Sequence, residues 1–182
     1  MRSKCVYRII ALLNILLPLS GCTSHNAAQT LQDTVGEVDL QRYMGKWYEI
    51  ASFPNWFQKG CFCSAAEYSL RMGFVEVRNS CRGKSPDGAA DVAIGKAFIV
   101  PGSGNSKLKV QFQWPFMGDY WIIALDDNYR YAMVGHPKRN YLWILSRTKH
   151  MDNATFEQLQ EIARSKGYDT DKLQKTEQSC GN

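Results

Sequence analysis

The chain has 182 residues, with 22 basic and 17 acidic side chains and a formal net charge of +5. A chain of this length typically folds as one domain around one core. Three of the basic residues, Arg2, Lys4 and Arg8, lie in an N-terminal segment without acidic residues, so the remaining 161 residues carry a net charge of only +2. This small charge forms no like-charge block, and it gives no reason to expect nucleic acid as a partner.

An export signal is predicted at the N-terminus. The basic residues precede an apolar run from Ile9 to Leu19, which is too short to span a bilayer. Leu19-Ser20-Gly21-Cys22 then resembles the lipobox of bacterial lipoproteins, and Thr23 replaces the aspartate that retains such proteins in the inner membrane. We therefore expect a signal peptide over residues 1–21 and a lipid anchor on Cys22 in the outer membrane, facing the periplasm. The alternative is a plain secretory signal with an incidental cysteine.

Residues 22–38 are mostly small and polar, which predicts a lipidated N-terminus and a tether before a folded domain over residues 39–182. In that domain, β-rich runs alternate with turn residues such as Ser85-Pro86-Asp87-Gly88. The eight predicted strands are Trp47–Phe53, Ser64–Leu70, Phe74–Ser80, Asp91–Val100, Lys107–Gln113, Tyr120–Leu125, Tyr129–Val134 and Tyr141–Arg147. Eight successive strands favour an all-β sandwich or up-and-down barrel over an α/β fold.

One helix is predicted after the last strand. Asp152 or Asn153 can cap its N-terminus, and Gly167 can end it. Its apolar face consists of Phe156, Leu159, Ile162 and Ala163. This face is expected to pack on the outside of the barrel.

Four cysteines remain when Cys5 leaves with the signal peptide and Cys22 carries lipid. They are Cys61, Cys63, Cys81 and Cys180. An even number in an exported chain indicates two disulfides, with three possible pairings. A turn near Met72 would set the strands around Cys63 and Cys81 side by side, which favours one cross-strand bridge and leaves another to tie Cys180 to the barrel. A metal site is not expected, because Cys61-x-Cys63 would need further ligands and no histidine has ligand spacing.

Three segments resemble the motifs of the lipocalin family. They are Gly45-x-Trp47, the run from Asp126 to Tyr131 between two strands, and Arg147 at the end of the last strand. Residues 141–148 resemble the bacterial outer-membrane lipoprotein (Blc) branch, which is similar to apolipoprotein D. The resemblance runs from about residue 39 to residue 167. It departs from the family at Asp126, where threonine is usual, and at Cys61 and Cys81, which some Blc-type members lack.

The resemblance implies an eight-stranded antiparallel up-and-down barrel, open at one end, with one C-terminal helix packed outside and a pocket for a small apolar ligand. It implies that the guanidinium of Arg147 lies over the ring of Trp47 at the closed end. It also favours Cys63–Cys180, because the apolipoprotein D pattern has a cysteine bridged to the C-terminus at this place, and Cys61–Cys81 then remains.

The pocket is expected on the face that Trp47 and Arg147 share, since strand neighbours alternate between faces. On the last strand this alternation selects Trp143 and Leu145. On the other strands the resemblance to the family's pocket positions implies Tyr68, Val77, Asn79, Val110, Phe112, Trp121 and Ile123, and Glu49 is a further predicted pocket residue. Gly95 and Ala97 are small and would leave room for a ligand. The aromatic runs 54–57 and 114–118 are expected at the open end, either gating the pocket or touching a membrane.

Such a pocket predicts a protein that binds fatty acids, lysophospholipids or similar hydrophobic molecules for lipid storage, transport or membrane maintenance, without a cofactor. Glu49, Tyr68 and Asn79 would orient a polar head. The alternatives are a lipocalin-fold enzyme acting on a lipid and a structural lipoprotein with a filled barrel. Catalysis is not expected, because the four cysteines have expected partners and the chain lacks a Gly-x-Ser-x-Gly elbow. The sequence also leaves a homodimer open.

Overall fold

The computed structural model describes residues 34–180. The predicted signal peptide, Cys22 and the tether up to residue 33 lie outside the described residues. Residues 34–180 form a closed antiparallel barrel of eight strands, with a short ninth strand and a C-terminal helix. The strands are β1 (Gly45–Ser52), β2 (Cys61–Arg71), β3 (Phe74–Gly83), β4 (Ala90–Ile99), β5 (Lys107–Gln111), β6 (Gly118–Leu125), β7 (Tyr131–Gly135), β8 (Leu142–Ser146) and β9 (Gln174–Lys175). The helices are α1 (Leu40–Tyr43) and α2 (Asn153–Ser165), with single 3-10 turns at Trp56–Gln58 and Thr170–Lys172.

Strands β2 to β8 pair in chain order, and β1 closes the barrel by pairing with both β8 and β2. Each strand reverses the direction of the one before it, so the loops after β1, β3, β5 and β7 meet at one end. The predicted eight-stranded up-and-down barrel is confirmed. The sequence did not predict β9, which has only two residues, too few for a periodic signal.

Strand β7 begins two residues later than predicted because the preceding residues form a tight turn. The backbone N–H of Tyr129 donates to the carbonyl of Asp126 at 2.7 Å. The carboxylate of Asp126 accepts from the backbone N–H groups of Asn128 and Arg130 and from the Arg130 guanidinium. These hydrogen bonds, chiefly that from the Arg130 side chain, lower the pKa of Asp126 to about 2. Aspartate here adds an ion pair that the threonine usual in the family cannot make.

The chain enters the closed end of the barrel through α1. The carboxylate of Asp39 caps this helix by accepting from the backbone N–H of Gln41 at 2.9 Å. Gly45 then adopts φ +89°, which glycine tolerates without a Cβ clash and which turns the chain into β1. Trp47 follows and is fully buried inside the barrel, where its indole N–H donates to the carbonyl of Tyr43 at 2.8 Å.

Helix α2 packs on the outside of the barrel, as predicted. Asp152 is its N-cap and accepts from the backbone N–H of Thr155 at 2.8 Å, and Gly167 follows its C-terminus with φ +81°. The helix face and the outer faces of the neighbouring strands form a second core, separate from the barrel interior. This outer core includes Ile123, Met133, Leu142, Ile144, Phe156, Leu159 and Ala163.

The C-terminal segment completes the wall between β1 and β2 at the open end. These two strands pair directly only near the closed end, where Gly45 to Tyr48 face Tyr68 to Ala65. Further up, β9 pairs with β1, and the N–H of Cys63 donates to the carbonyl of Glu177 at 2.7 Å. The side-chain amide of Gln178 bridges both strands by donating to the carbonyls of Glu49 and Ser64. We call residues 174–180 the C-terminal strap.

Both disulfides implied by the family resemblance are present. Cys61 on β2 is bonded to Cys81 on β3, across one strand pair. Cys63 is bonded to Cys180, which lies 117 residues further along the chain. The second disulfide therefore fixes the end of the strap to the wall that the strap completes.

Replacing Cys63 and Cys180 together by serine should destabilise the protein more than replacing Cys61 and Cys81 together. On the chain-entropy model, the long loop contributes about 5 kcal/mol and the 20-residue loop about 3 kcal/mol. Urea unfolding of the two double variants measures this difference. Thr176 lies in the strap, and its N–H donates to the carbonyl of Ile50 in β1. Amide exchange at Thr176 should accelerate in the Cys63/Cys180 variant and not in the Cys61/Cys81 variant. Equal stabilities, or unchanged exchange at Thr176, would contradict the role given to this disulfide.

Candidate ligand-binding site

The barrel interior is filled at its closed end and open at the other. Alternation along β3 and β4 places Val77 opposite Gly95 and Asn79 opposite Ala93 on the inner face. Val77 and Gly95 are buried, whereas Asn79 and Ala93, one step nearer the open end, are exposed. Solvent therefore reaches the half of the lumen nearer the open end, whereas the half nearer the closed end is filled by side chains.

Trp47 and Arg147 lie together at the filled, closed end of the barrel. The guanidinium carbon of Arg147 lies 3.8 Å from the centroid of the Trp47 ring, as the resemblance implies. The guanidinium also donates to the carbonyls of Arg42 at 2.7 Å, Lys46 at 3.0 Å and Tyr129 at 3.2 Å. Burial lowers the pKa of Arg147 from its ordinary value. One cation thus joins α1, β1 and the turn before β7.

The floor of the open half of the lumen is made of three tyrosines. The hydroxyl of Tyr120 lies 2.8 Å from that of Tyr43 and 2.9 Å from that of Tyr68. Burial raises the pKa of Tyr68 to about 12, and it raises the pKa values of Tyr43 and Tyr120 well above the ordinary value. All three phenols are therefore neutral at physiological pH. We call Tyr43, Tyr68 and Tyr120 the tyrosine floor.

The prediction that Trp121 and Ile123 line the pocket is wrong. Tyr120 and Ile122 point inward instead, while Ile123 belongs to the outer core and Trp121 packs against it. The amine of Lys107 lies 4.2 Å from the Trp121 ring centroid on this outer side. Strand β6 is apolar on both faces because α2 and its surroundings cover the outside. Its alternation therefore identifies two faces without showing which one is inner.

Glu49 occupies the barrel wall near the open end, where its carboxylate is engaged by the protein. It accepts from the hydroxyls of Ser52 at 2.9 Å and Thr176 at 2.6 Å and from the amide of Gln58 at 2.7 Å. Gln58 in turn accepts from the indole N–H of Trp143 at 3.0 Å. Glu49 thus links β1, the loop after it and the C-terminal strap, and it presents no free carboxylate to a ligand.

Phe112 lies directly after β5, and its ring covers Gly95. A Cβ on Gly95 would lie 2.8 Å from Cδ1 of this ring and 2.7 Å from the carbonyl oxygen of Gln111. Only glycine allows this close approach, so the small residue here makes room for Phe112 in addition to leaving space for a ligand. Asn79, Phe112 and Trp143 are the predicted pocket residues that the structure brings to the open half of the lumen.

Exposed aromatic residues surround the open end, where the loops after β1 and β5 lie as predicted. The most exposed are Trp56 and Trp114, each at 81%. The rim also includes Phe57, Phe116 and Met117. The ring centroid of Phe57 lies 6.4 Å from that of Trp143, and Tyr141 stacks on Trp143 at 5.8 Å. Aromatic surface therefore continues from the rim into the lumen.

Two grooves outside the barrel share none of the predicted pocket residues. One of about 270 Å³ is lined by Ile50, Phe156, Lys175 and neighbouring residues, and one of about 190 Å³ lies beside Arg130 and Thr148. Both are smaller than ordinary sites for drug-sized ligands and have many charged or polar lining residues. The open lumen remains the candidate site.

Within residues 34–180, no three metal-ligating side chains cluster, and no helix is both long and apolar enough to cross a membrane.

A family model described as a lipocalin-like domain matches residues 38–178. The chain belongs to the lipocalin family. It is 42% identical to temperature-induced lipocalin-1 from Arabidopsis thaliana over 156 residues, covering 81% of this chain and 83% of that protein. It is 40% identical to the outer membrane lipoprotein Blc from Vibrio cholerae over 142 residues, covering 76% and 82%. Apolipoprotein D from Mus musculus is 36% identical over 151 residues, covering 78% and 77%.

These relatives confirm the resemblance to the Blc branch and to apolipoprotein D. Among solved structures, insecticyanin from the tobacco hornworm Manduca sexta matches with a TM-score of 0.65 and 24% identity, covering 79% of this chain and 82% of that one. That likeness shows the lipocalin fold alone, because the identity is low.

Replacing Arg147 by lysine should lower the free energy of unfolding by about 2 kcal/mol. Lysine keeps the charge but lacks the planar group that stacks on Trp47 and bonds several carbonyls at once. Urea unfolding measures the loss. Arg42→Lys is the matched control, because Arg42 lies 4.1 Å from the Tyr129 ring centroid but is exposed, and its loss should stay below about 1 kcal/mol. Equal losses in the two variants would show that Arg147 has no special role.

Proposed function

We propose that this lipocalin binds fatty acids, lysophospholipids or similar lipids in the upper lumen of the barrel. Membership of the family supports binding of a small hydrophobic ligand, and the lipid class is our proposal. The observation that carries it is the exposed inner face of β3 and β4 above the buried level of Val77 and Gly95. A barrel filled by its own side chains would bury Asn79 and Ala93 as well, so this exposure argues against the purely structural alternative.

Burial of apolar surface would supply the affinity. Ten methylenes of an acyl chain contribute about 8 kcal/mol at roughly 0.8 kcal/mol each, before the cost of ordering the ligand. Val110, Phe112 and Trp143 offer apolar surface on the inner face. The exposed side chain of Asn79 offers a polar contact near the open end, where a lipid head would lie.

Binding is favoured over catalysis by the state of the cysteines. Cys61, Cys63, Cys81 and Cys180 are all disulfide-bonded, so no thiol is available for covalent catalysis among residues 34–180. Lipocalins are generally binding proteins, and we propose that this chain is not an enzyme. A thiol titration of the unreduced protein that found one free thiol in this domain would favour the enzyme instead.

We also propose that the mature protein is anchored in the outer membrane through lipid on Cys22 and faces the periplasm. Two observations support this: the lipobox-like run before Cys22, and relatives named outer membrane lipoprotein Blc. Mass spectrometry of the mature N-terminus would show the lipid mass, and its absence would exclude the anchor.

Sedimentation velocity of the same preparation tests the homodimer that the sequence left open.

Replacing Ala93 by tryptophan should block lipid binding, because the indole would project into the open half of the lumen. Both Ala93 and its neighbour Ile94 are exposed, so neither substitution disturbs a buried side chain. Titration with a long-chain fatty acid, followed by tryptophan fluorescence, should give saturable binding for the wild type and at least a tenfold weaker affinity for Ala93→Trp.

Ile94→Trp is the matched control, since Ile94 is 62% exposed on the outer face of the same strand. Its affinity should stay within twofold of the wild type. Equal effects of the two substitutions would place the ligand outside the lumen. Failure of the wild type to bind any long-chain lipid would refute the proposed function.

A further inference from the structure

The tyrosine floor holds one hydrogen-bond donor that the protein does not use. Its three hydroxyls carry three protons, and the two contacts through Tyr120 use two of them. No other described residue accepts a hydrogen bond from Tyr43, Tyr68 or Tyr120. Whichever hydroxyls donate within the cluster, one phenolic proton is left over. A buried donor without an acceptor is costly, which suggests that something else accepts it.

The free space next to this cluster lies in the lumen. Tyr43 and Tyr68 are 3% and 6% exposed, whereas Tyr120 is only half-buried. The next inner position on β6 toward the open end is Gly118, which pairs with Val110. Gly118 has no side chain, and its nearest neighbour around an added Cβ would be 4.0 Å away. Nothing on its own strand therefore covers Tyr120 from above.

The floor offers this donor without a countercharge. Its phenols are neutral because burial raises their pKa values. The cation below it, Arg147, lies against Trp47 and already donates to several backbone carbonyls. A carboxylate or phosphate pushed down to the floor would lose its hydration and gain only one neutral donor, which is strongly unfavourable.

We propose that Tyr43, Tyr68 and Tyr120 form a subsite that donates one hydrogen bond to an uncharged oxygen at the buried end of the ligand. This inference rests on the proposed lumen-binding function and narrows its ligand class. The preferred ligand is an apolar molecule that carries a ketone, aldehyde, ester or alcohol at the end that enters first. A simple acyl chain that enters methyl-first leaves the donor unpaired, and any charged head stays at the open end.

The test compares three probes of matched length: tridecan-2-one, tridecane and dodecanoate. Each competes with the neutral fluorophore N-phenyl-1-naphthylamine for the wild-type lumen. Tridecan-2-one should bind the wild type about fivefold more tightly than it binds a variant without the floor hydroxyls, because that variant lacks one neutral hydrogen bond to the ketone. Dodecanoate should bind with its carboxylate at the open end and so gain nothing from the floor.

The variant with all three floor tyrosines replaced by phenylalanine removes every hydroxyl and leaves no orphaned partner. It should weaken the binding of tridecan-2-one about fivefold and leave the affinities for tridecane and dodecanoate within twofold of the wild type. Tyr131→Phe is the control, because this tyrosine packs against the outer core and its loss should change none of the three affinities. Thermal unfolding checks that each variant is folded.

Infrared spectroscopy gives a readout that needs no variant. The carbonyl stretch of ¹³C-labelled tridecan-2-one should lie at a lower frequency when bound to the wild type than in dry alkane, because the floor donates to it. A frequency equal to that in alkane would overturn the subsite.

Equal affinities of the wild type and the triple variant for the ketone would also overturn the subsite while leaving lipid binding intact. The same holds if the triple variant weakens dodecanoate as much as the ketone. If neither the fluorophore nor any probe binds the wild type, the proposed function itself fails and the subsite fails with it.

Discussion

Closure of the barrel through β1 is the constraint on which the rest of the structure depends. A closed sheet has no free edge, but only if its first strand pairs on both sides. Here β1 pairs with β8 from Tyr48 to Ser52, and directly with β2 only near the closed end, from Gly45 to Tyr48. On the other side of β1, Arg147 joins the closed-end part of this strand to the end of β8 through Trp47 and Lys46, and it also donates to carbonyls of α1 and of the turn before β7. The C-terminal strap and its disulfide complete the seam between β1 and β2 toward the open end.

The seam explains why polar groups concentrate at two levels of the lumen. Near the open end, Glu49 joins the strap to the first strand and its loop, so its carboxylate serves the wall. At the closed end, the backbone takes up the donors of Arg147, and the layer above it can be neutral. The lumen between these levels has small residues on one wall and aromatic residues on the other, which suits an apolar ligand.

The outer core has a separate consequence for the lumen. Because α2 covers the strands around β7, those strands are buried on both faces, and large apolar residues appear at consecutive positions. A register shift next to Ile123 then lets β6 present Tyr120 and Ile122 inward and Trp121 outward. Which residues of β6 face the lumen therefore depends on the register of this strand, and not on its apolar pattern alone.

The sequence by itself determined the eight strands, the helix with its cap, the closed-end pair and, through the family motifs, both disulfides. The strands and the helix are local in the chain, so alternation, turn residues and capping residues reveal them, whereas the closed-end pair and the disulfide pairings were implied by the resemblance to the lipocalin family. Only the tertiary structure decided that Trp121 points away from the lumen, that Glu49 is engaged by the strap, and that Tyr43 meets Tyr68 and Tyr120. The physical reason is that period-two alternation separates two faces without showing which is inside when both are apolar. The tyrosine contacts, moreover, join residues up to 77 positions apart, a distance at which local pattern carries no information.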